Sequence, residues 1–161
     1  MRNFSQKGFT LLELIMVVVV VGIMTTVMLV SLSGGRTEKE VEAEAEKVAV
    51  AVRETQNLSL TGKNAGDSCD TVIKENFFHY GENSNGSDGD KRYAISGCNT
   101  AEYLLENGVK FSSSAGSFSF SIPNGKISLA DTVTIVLEKA GMSYNVCVYP
   151  SGRLEVKKGS C

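Results

Sequence analysis

The chain has 161 residues, a formal net charge of −2 and four cysteines. A mildly acidic balance supplies no general footprint for nucleic acid, which calls for a basic patch or a strongly basic domain. No stretch shows nucleophile–base spacing or a phosphate-cradling glycine loop after a strand, so the residues point away from an enzyme and imply no cofactor.

Residues 1–8 read as a short leader, with Arg2 and Lys7 as its charges. From Phe9 to Leu32 the chain is apolar, and Glu13 is the one charge among 24 residues. As a helix this run is about 36 Å long, enough to span a hydrocarbon core of about 30 Å with some tilt. The basic leader then stays cytoplasmic and the rest of the chain lies outside. Glu13 needs a reason, because a lone carboxylate in lipid costs several kcal/mol unless paired or neutralised. It either lies close enough to the interface to reach water or pairs with a new charge. A cut between Gly8 and Phe9 creates an ammonium group on Phe9, four residues from Glu13. Positions i and i+4 share a helix face, so that amine can pair with Glu13 of its own chain or of a neighbour.

Lys7-Gly8-Phe9-Thr10-Leu11-Leu12-Glu13-Leu14 resembles the class III signal of type IV pilins and pseudopilins. The resemblance implies cleavage after Gly8 and N-methylation of Phe9 by a prepilin peptidase, with Phe9 and Glu13 docking the subunit into a filament. It also implies other pilins, an inner-membrane assembly platform and membrane lipid as partners. The expected location is a single pass through the cytoplasmic membrane, then the filament. Gly22 stands where such helices often carry glycine. The proline that many members carry near the position of Val30 is missing. The competing reading is an ordinary secretory signal, with Ser31-Leu32-Ser33 as the cleavage site. The run is longer than the usual h-region of about 7–15 residues, and a glutamate inside one is out of place.

Residues 33–161 read as one extracytoplasmic domain. Ser33-Gly34-Gly35 suggests a kink or break, because glycine costs about 1 kcal/mol against alanine in a helix interior. Residues 36–60 read as a second helix, with Thr37 as N-cap and Glu40 completing a capping box. Val41, Ala45, Val48, Val52 and Thr55 form one amphipathic stripe, widened by Ala49, Val50 and Ala51. Glu38, Glu40, Glu42, Glu44 and Glu46 crowd the first half. They are read as solvated, with contacts to neighbouring subunits as the functional alternative.

Residues 61–115 read as variable loops around short strands, one within 72–80 and its return at 92–96. Asn83, Asn85, Asp88 and Asp90 offer oxygen ligands for calcium, but their spacing does not match an EF-hand loop, so a solvated turn is expected. His79 has no Cys or Asp at ligand spacing, and no metal site is assigned. Cys69, Cys98, Cys147 and Cys161 all follow the apolar run, which fits an oxidising compartment. Four cysteines allow three connectivities; proximity in the chain favours Cys69–Cys98 and Cys147–Cys161.

From residue 116 to 161 the apolar period becomes two. Phe118, Phe120 and Ile122 lead into a turn at Pro123-Asn124-Gly125-Lys126, with Ile127 and Leu129 returning. Val133, Ile135 and Leu137 form a strand ending near Ala140-Gly141. Tyr144, Val146 and Val148 form another, and Pro150-Ser151-Gly152-Arg153 turns it into Leu154 and Val156. The fold class is α+β: a long N-terminal helix, half membrane-spanning and half amphipathic, packed on a mainly antiparallel C-terminal β-sheet, as in pilins.

Phe118–Gly125 and Val146–Arg153 resemble the Gly-turn hairpins of H-type minor pseudopilins and FimT proteins, as do Arg53 and Cys161. The H-type resemblance implies a minor subunit of a type II secretion pseudopilus or a type IV pilus. Some FimT proteins bind DNA through a Gly-Arg-x-Arg turn. Here the turn reads Gly152-Arg153-Leu154-Glu155, with an acid in place of the second arginine. The candidates for a DNA contact are Arg153, Lys157 and Lys158.

Overall fold

The computed structural model describes residues 10–62, 74–81, 89–97 and 100–161, and within the helix the side chains of 27–34 lie outside the description. The chain divides into two compact units, Met1–Arg36 and Thr37–Cys161. One helix, α1, runs Leu11–Leu60. Its assignment continues through Ser33-Gly34-Gly35, so the expected break is absent. Two glycines cost roughly 2 kcal/mol against alanine. Extending an existing helix gains a hydrogen bond per residue without a new nucleation cost, which offsets that penalty. Thr37 is therefore a helix-interior residue rather than an N-cap, and the capping box expected from Thr37 to Glu40 does not form.

Among the described residues the second unit holds eight strands. They are β1 (Glu75–Tyr80), β2 (Arg92–Ser96), β3 (Thr100–Leu104), β4 (Lys110–Phe111), β5 (Gly116–Ser121), β6 (Val133–Lys139), β7 (Met142–Val148) and β8 (Leu154–Lys157). They form two four-stranded sheets rather than one, ordered β3-β2-β1-β5 and β4-β6-β7-β8. Every pairing is antiparallel. The architecture is α+β and pilin-like.

The helix stripe is the core's spine. Val41, Ala45, Val48, Val52 and Thr55 have no exposed surface. The four apolar ones pack in one cluster with Phe78 and Ile95 of the first sheet and Ile135, Leu137 and Val146 of the second. Each fully buried valine or leucine of this kind stabilises the fold by roughly 1.5–3 kcal/mol through area removed from water. Val50 does not join them; it is 57% exposed, because it lies about two residues round the helix from Val48 and Val52 and so on the opposite face. Polar members of the stripe are satisfied. Thr55 Oγ1 donates to the Ala51 carbonyl at 2.9 Å, and Asn76 Nδ2 donates to Ser59 Oγ at 3.0 Å.

The region expected as loops around strands contains β1 and β2 as anticipated, and also β3 and β4. The return after Pro123-Asn124-Gly125 is smaller than expected. Ile127 makes a single bridge to Phe120, and no strand runs through Leu129. At the β6–β7 hairpin, Lys139 pairs with Met142 across a two-residue turn. Both turn residues have positive φ, 48° at Ala140 and 79° at Gly141. The left-handed region costs an alanine roughly 1–2 kcal/mol, and Asn-Gly is the preferred pair for this turn. Replacing Ala140 by Asn should raise stability by about 0.5–1 kcal/mol, measured as the shift in urea midpoint at constant slope.

Candidate functional site

The candidate site is the start of α1. Gly8 and Phe9, the expected cleavage pair, lie outside the described residues. Thr10 stands just before the helix. Its carbonyl accepts from the Glu13 and Leu14 N–H groups at 3.1 and 3.2 Å, and its Oγ1 is 3.3 Å from the Glu13 nitrogen. Thr10 therefore caps α1 and Glu13 occupies the third helical position. Thr10-Leu11-Leu12-Glu13 has the capping-box form, a signal that could have been read from the sequence. The cap fixes where the helix begins and places Glu13, an exposed residue, in its first turn.

Apart from Glu13 and Gly22, the side chains from Leu11 to Met24 are apolar and exposed. Thr25 and Thr26, further along, hide their hydroxyls in the helix: Thr25 donates to the Val21 carbonyl at 2.7 Å and Thr26 to the Gly22 carbonyl at 2.9 Å. That removes polar groups from a surface otherwise suited to lipid or to another apolar helix. Among the described residues no helix is long and apolar enough to cross a membrane. The run whose side chains are described ends at Thr26, short of the ~20 residues a span requires.

In the second unit Glu38, Glu40 and Glu44 contact other elements, against the expectation of solvated side chains, whereas Glu46 is exposed as expected. Glu44 is almost fully buried; it accepts from Lys47 Nζ at 2.8 Å and from the Glu106 N–H at 3.3 Å. Lys47 also reaches Glu106 at 2.9 Å. Glu40 pairs with Lys139, and Glu38 accepts from Lys158 at 3.0 Å and from the Tyr144 hydroxyl at 3.4 Å. These contacts tie α1 to β6, β7 and the C-terminal tail.

The three candidates for a DNA contact each sit beside an acid. Arg153 pairs with Glu155 and its guanidinium lies 5.1 Å from the centre of the Tyr149 ring. The Tyr149 hydroxyl donates to the same Glu155 at 2.9 Å. Lys157 is 4.0 Å from Glu155, and Lys158 is held by Glu38. The turn itself needs glycine at Gly152: φ is +81°, and a Cβ there would lie 2.7 Å from the Gln56 amide nitrogen. Cys147 and Cys161 are disulfide-bonded, and Asn145 Nδ2 donates to the Gly159 carbonyl beside them at 2.6 Å. Cys69, Cys98, Asn83, Asn85 and Asp88 lie outside the described residues. Among the described residues no group of His, Cys, Asp or Glu is arranged to hold a metal ion.

Residues 3–29 match the family model of the prokaryotic N-terminal methylation motif. The chain carries that motif. It supports a type IV pilin-like or pseudopilin subunit, a family of structural proteins rather than enzymes. The motif implies processing by prepilin peptidase, assembly with other pilins and anchoring in the inner membrane through the N-terminal helix. No curated protein and no solved structure matches the chain.

The ion pairs predict a pH profile. Hydrogen bonding from Lys158 holds the Glu38 carboxyl below its ordinary 4.5, as Lys47 does for Glu106 and Arg153 for Glu155. These depressed acids add stability that is present above 4.5 and lost as pH falls through their lower folded values. Glu44 raises Lys47 and Glu38 raises Lys158 above their ordinary 10.5. Their contribution is present below 10.5 and lost as pH rises through the folded values. The thermal midpoint of the full chain should be flat between those limits and fall on both sides. A midpoint still rising below pH 4.5 contradicts the assignment.

Proposed function

We propose that this chain is a minor, H-type pseudopilin of a type II secretion pseudopilus or a related type IV pilus-like filament. The observation that carries the proposal is the methylation motif at residues 3–29, joined to a helix-plus-antiparallel-sheet body. Prepilin peptidase cuts after Gly8 and methylates Phe9. The chain is then 9–32, a membrane and filament-core helix, and 33–161, an extracytoplasmic body.

In this reading the apolar helix waits in the membrane, and filament entry is driven by two contacts. The Phe9 ammonium pairs with Glu13 of a neighbouring subunit, which sets the register between helices. The apolar side chains then exchange lipid for neighbouring helices, where close packing supplies the attraction. The capping role of Thr10 supports this, because it keeps Glu13 within the first turn, next to where the new amine forms. The acids beside Arg153, Lys157 and Lys158 support an assembly role over DNA capture. A phosphate would have to displace an existing partner, and the counterion-release gain would be smaller.

Mass spectrometry of the mature protein from its native membrane tests the proposal. A chain beginning at N-methylated Phe9 is expected. A chain beginning at Gly34 identifies ordinary secretion and overturns it.

A further inference from the structure

The outer face of the first sheet carries a cleft that the assembly reading does not use. Side chains of β1, β2 and β3 alternate between the core and this face. The register aligns His79, Ala94 and Glu102 in one row, and Ser96 and Thr100 in the next, beside Phe77. Ala94 is the short member of its row. With only a methyl group between His79 and Glu102, the sheet has a hollow of about 210 Å³, walled by those two residues, Arg92, Ser96 and Thr100. That is below the roughly 300–1,000 Å³ of pockets for drug-sized ligands, so the hollow takes a single ring.

The wall chemistry narrows the occupant. Arg92 Nη1 donates to Glu102 Oε2 at 3.0 Å, so the two formal charges of the wall cancel and, among the described residues, the cleft has no excess charge with which to select an ion. Both groups keep further capacity: a carboxylate accepts through two oxygens and a guanidinium has five N–H donors. Ser96 and Thr100 hydroxyls donate and accept, and Ser96 Oγ is 2.8 Å from His79 Nε2. Donors and acceptors are thus interleaved around a small space, which suits a ligand whose own groups do both. The Phe77 ring is 38% exposed and stacks on His79 with centroids 6.0 Å apart, adding an apolar surface at the rim. A pyranose has this division, with an apolar C–H face and an edge of hydroxyls.

We propose that the hollow at Ala94 binds one neutral pyranose unit, either a free sugar or a residue of a glycan chain. Glu102 accepts from two of its hydroxyls, Arg92 donates to a third, and the apolar face lies toward Phe77 and His79.

Saturation-transfer NMR on the full chain, in micelles of a detergent without a sugar headgroup, tests this. The probes are the methyl glycosides of glucose, galactose, mannose and N-acetylglucosamine, the trisaccharide of each, and acetate and glycine as an anion and a zwitterion. Transfer to the ring protons of at least one glycoside is expected for a free sugar, and to a trisaccharide alone for a ring within a chain. Glu102→Ala should weaken binding about tenfold, the effect of losing a charged hydrogen-bond partner. Ala94→Leu should abolish it by filling the hollow. Thr100→Val, a smaller change at the same wall, should weaken it, and unchanged circular dichroism identifies the variants that remain folded. Absence of transfer to every sugar, transfer to acetate or glycine alone, or full binding by folded Ala94→Leu overturns the proposal.

Discussion

The body of this protein depends on one apolar stripe of α1 being buried against two sheets at once. Val41, Ala45, Val48 and Val52 lie on consecutive turns of one helix face and have no exposed surface. Neither sheet has another helix to cover it among the described residues. Withdrawing the stripe would open the inner faces of both. Four strands per sheet is enough for independent stability only when an apolar face is packed, so helix and sheets form as one cooperative unit.

Charge then refines what burial establishes. Glu44 is the informative case. A carboxylate removed from water costs several kcal/mol unless paired and hydrogen-bonded, and here Lys47 and the Glu106 N–H supply both. Removing Lys47 would leave that cost uncompensated, so the pair acts as a pin holding the segment after β3 onto the helix. The half-exposed pairs, Glu38–Lys158 and Glu40–Lys139, contribute less singly but fix the same helix to the second sheet and the C-terminal tail. The disulfide from Cys147 to Cys161 closes that tail onto β7, so Lys158 is delivered to Glu38 by a tethered segment rather than a free end.

What was legible in the sequence follows from how local each signal is. The helix stripe was readable because its spacing repeats within fifteen residues. Strands β5 to β8 were readable because their apolar residues alternate along the sequence. β3 was not, because Thr100–Leu104 is exposed on both faces and so shows no alternation, and β4 has only two residues. Continuity of α1 through Ser33-Gly34-Gly35 was missed because local propensity was outweighed by the cooperativity of a helix already formed. The glutamate partners could not be anticipated: Lys158 is 120 residues from Glu38, and Glu106 is 59 from Lys47. The methylation motif was readable because it is contiguous, whereas the hollow at Ala94 exists only once three strands are aligned.

Glu13 is where fold and proposed function meet: a carboxylate set in the first turn of an otherwise apolar helix, one turn from the expected new amine. Its role is measured most directly by comparing wild type with Glu13→Ala in the sheared filament fraction, after both have been cleaved and methylated at Phe9. Wild type should be recovered with the filaments, and the processed variant should remain in the membrane. Equal recovery of the variant from the filaments would contradict assembly through this pair.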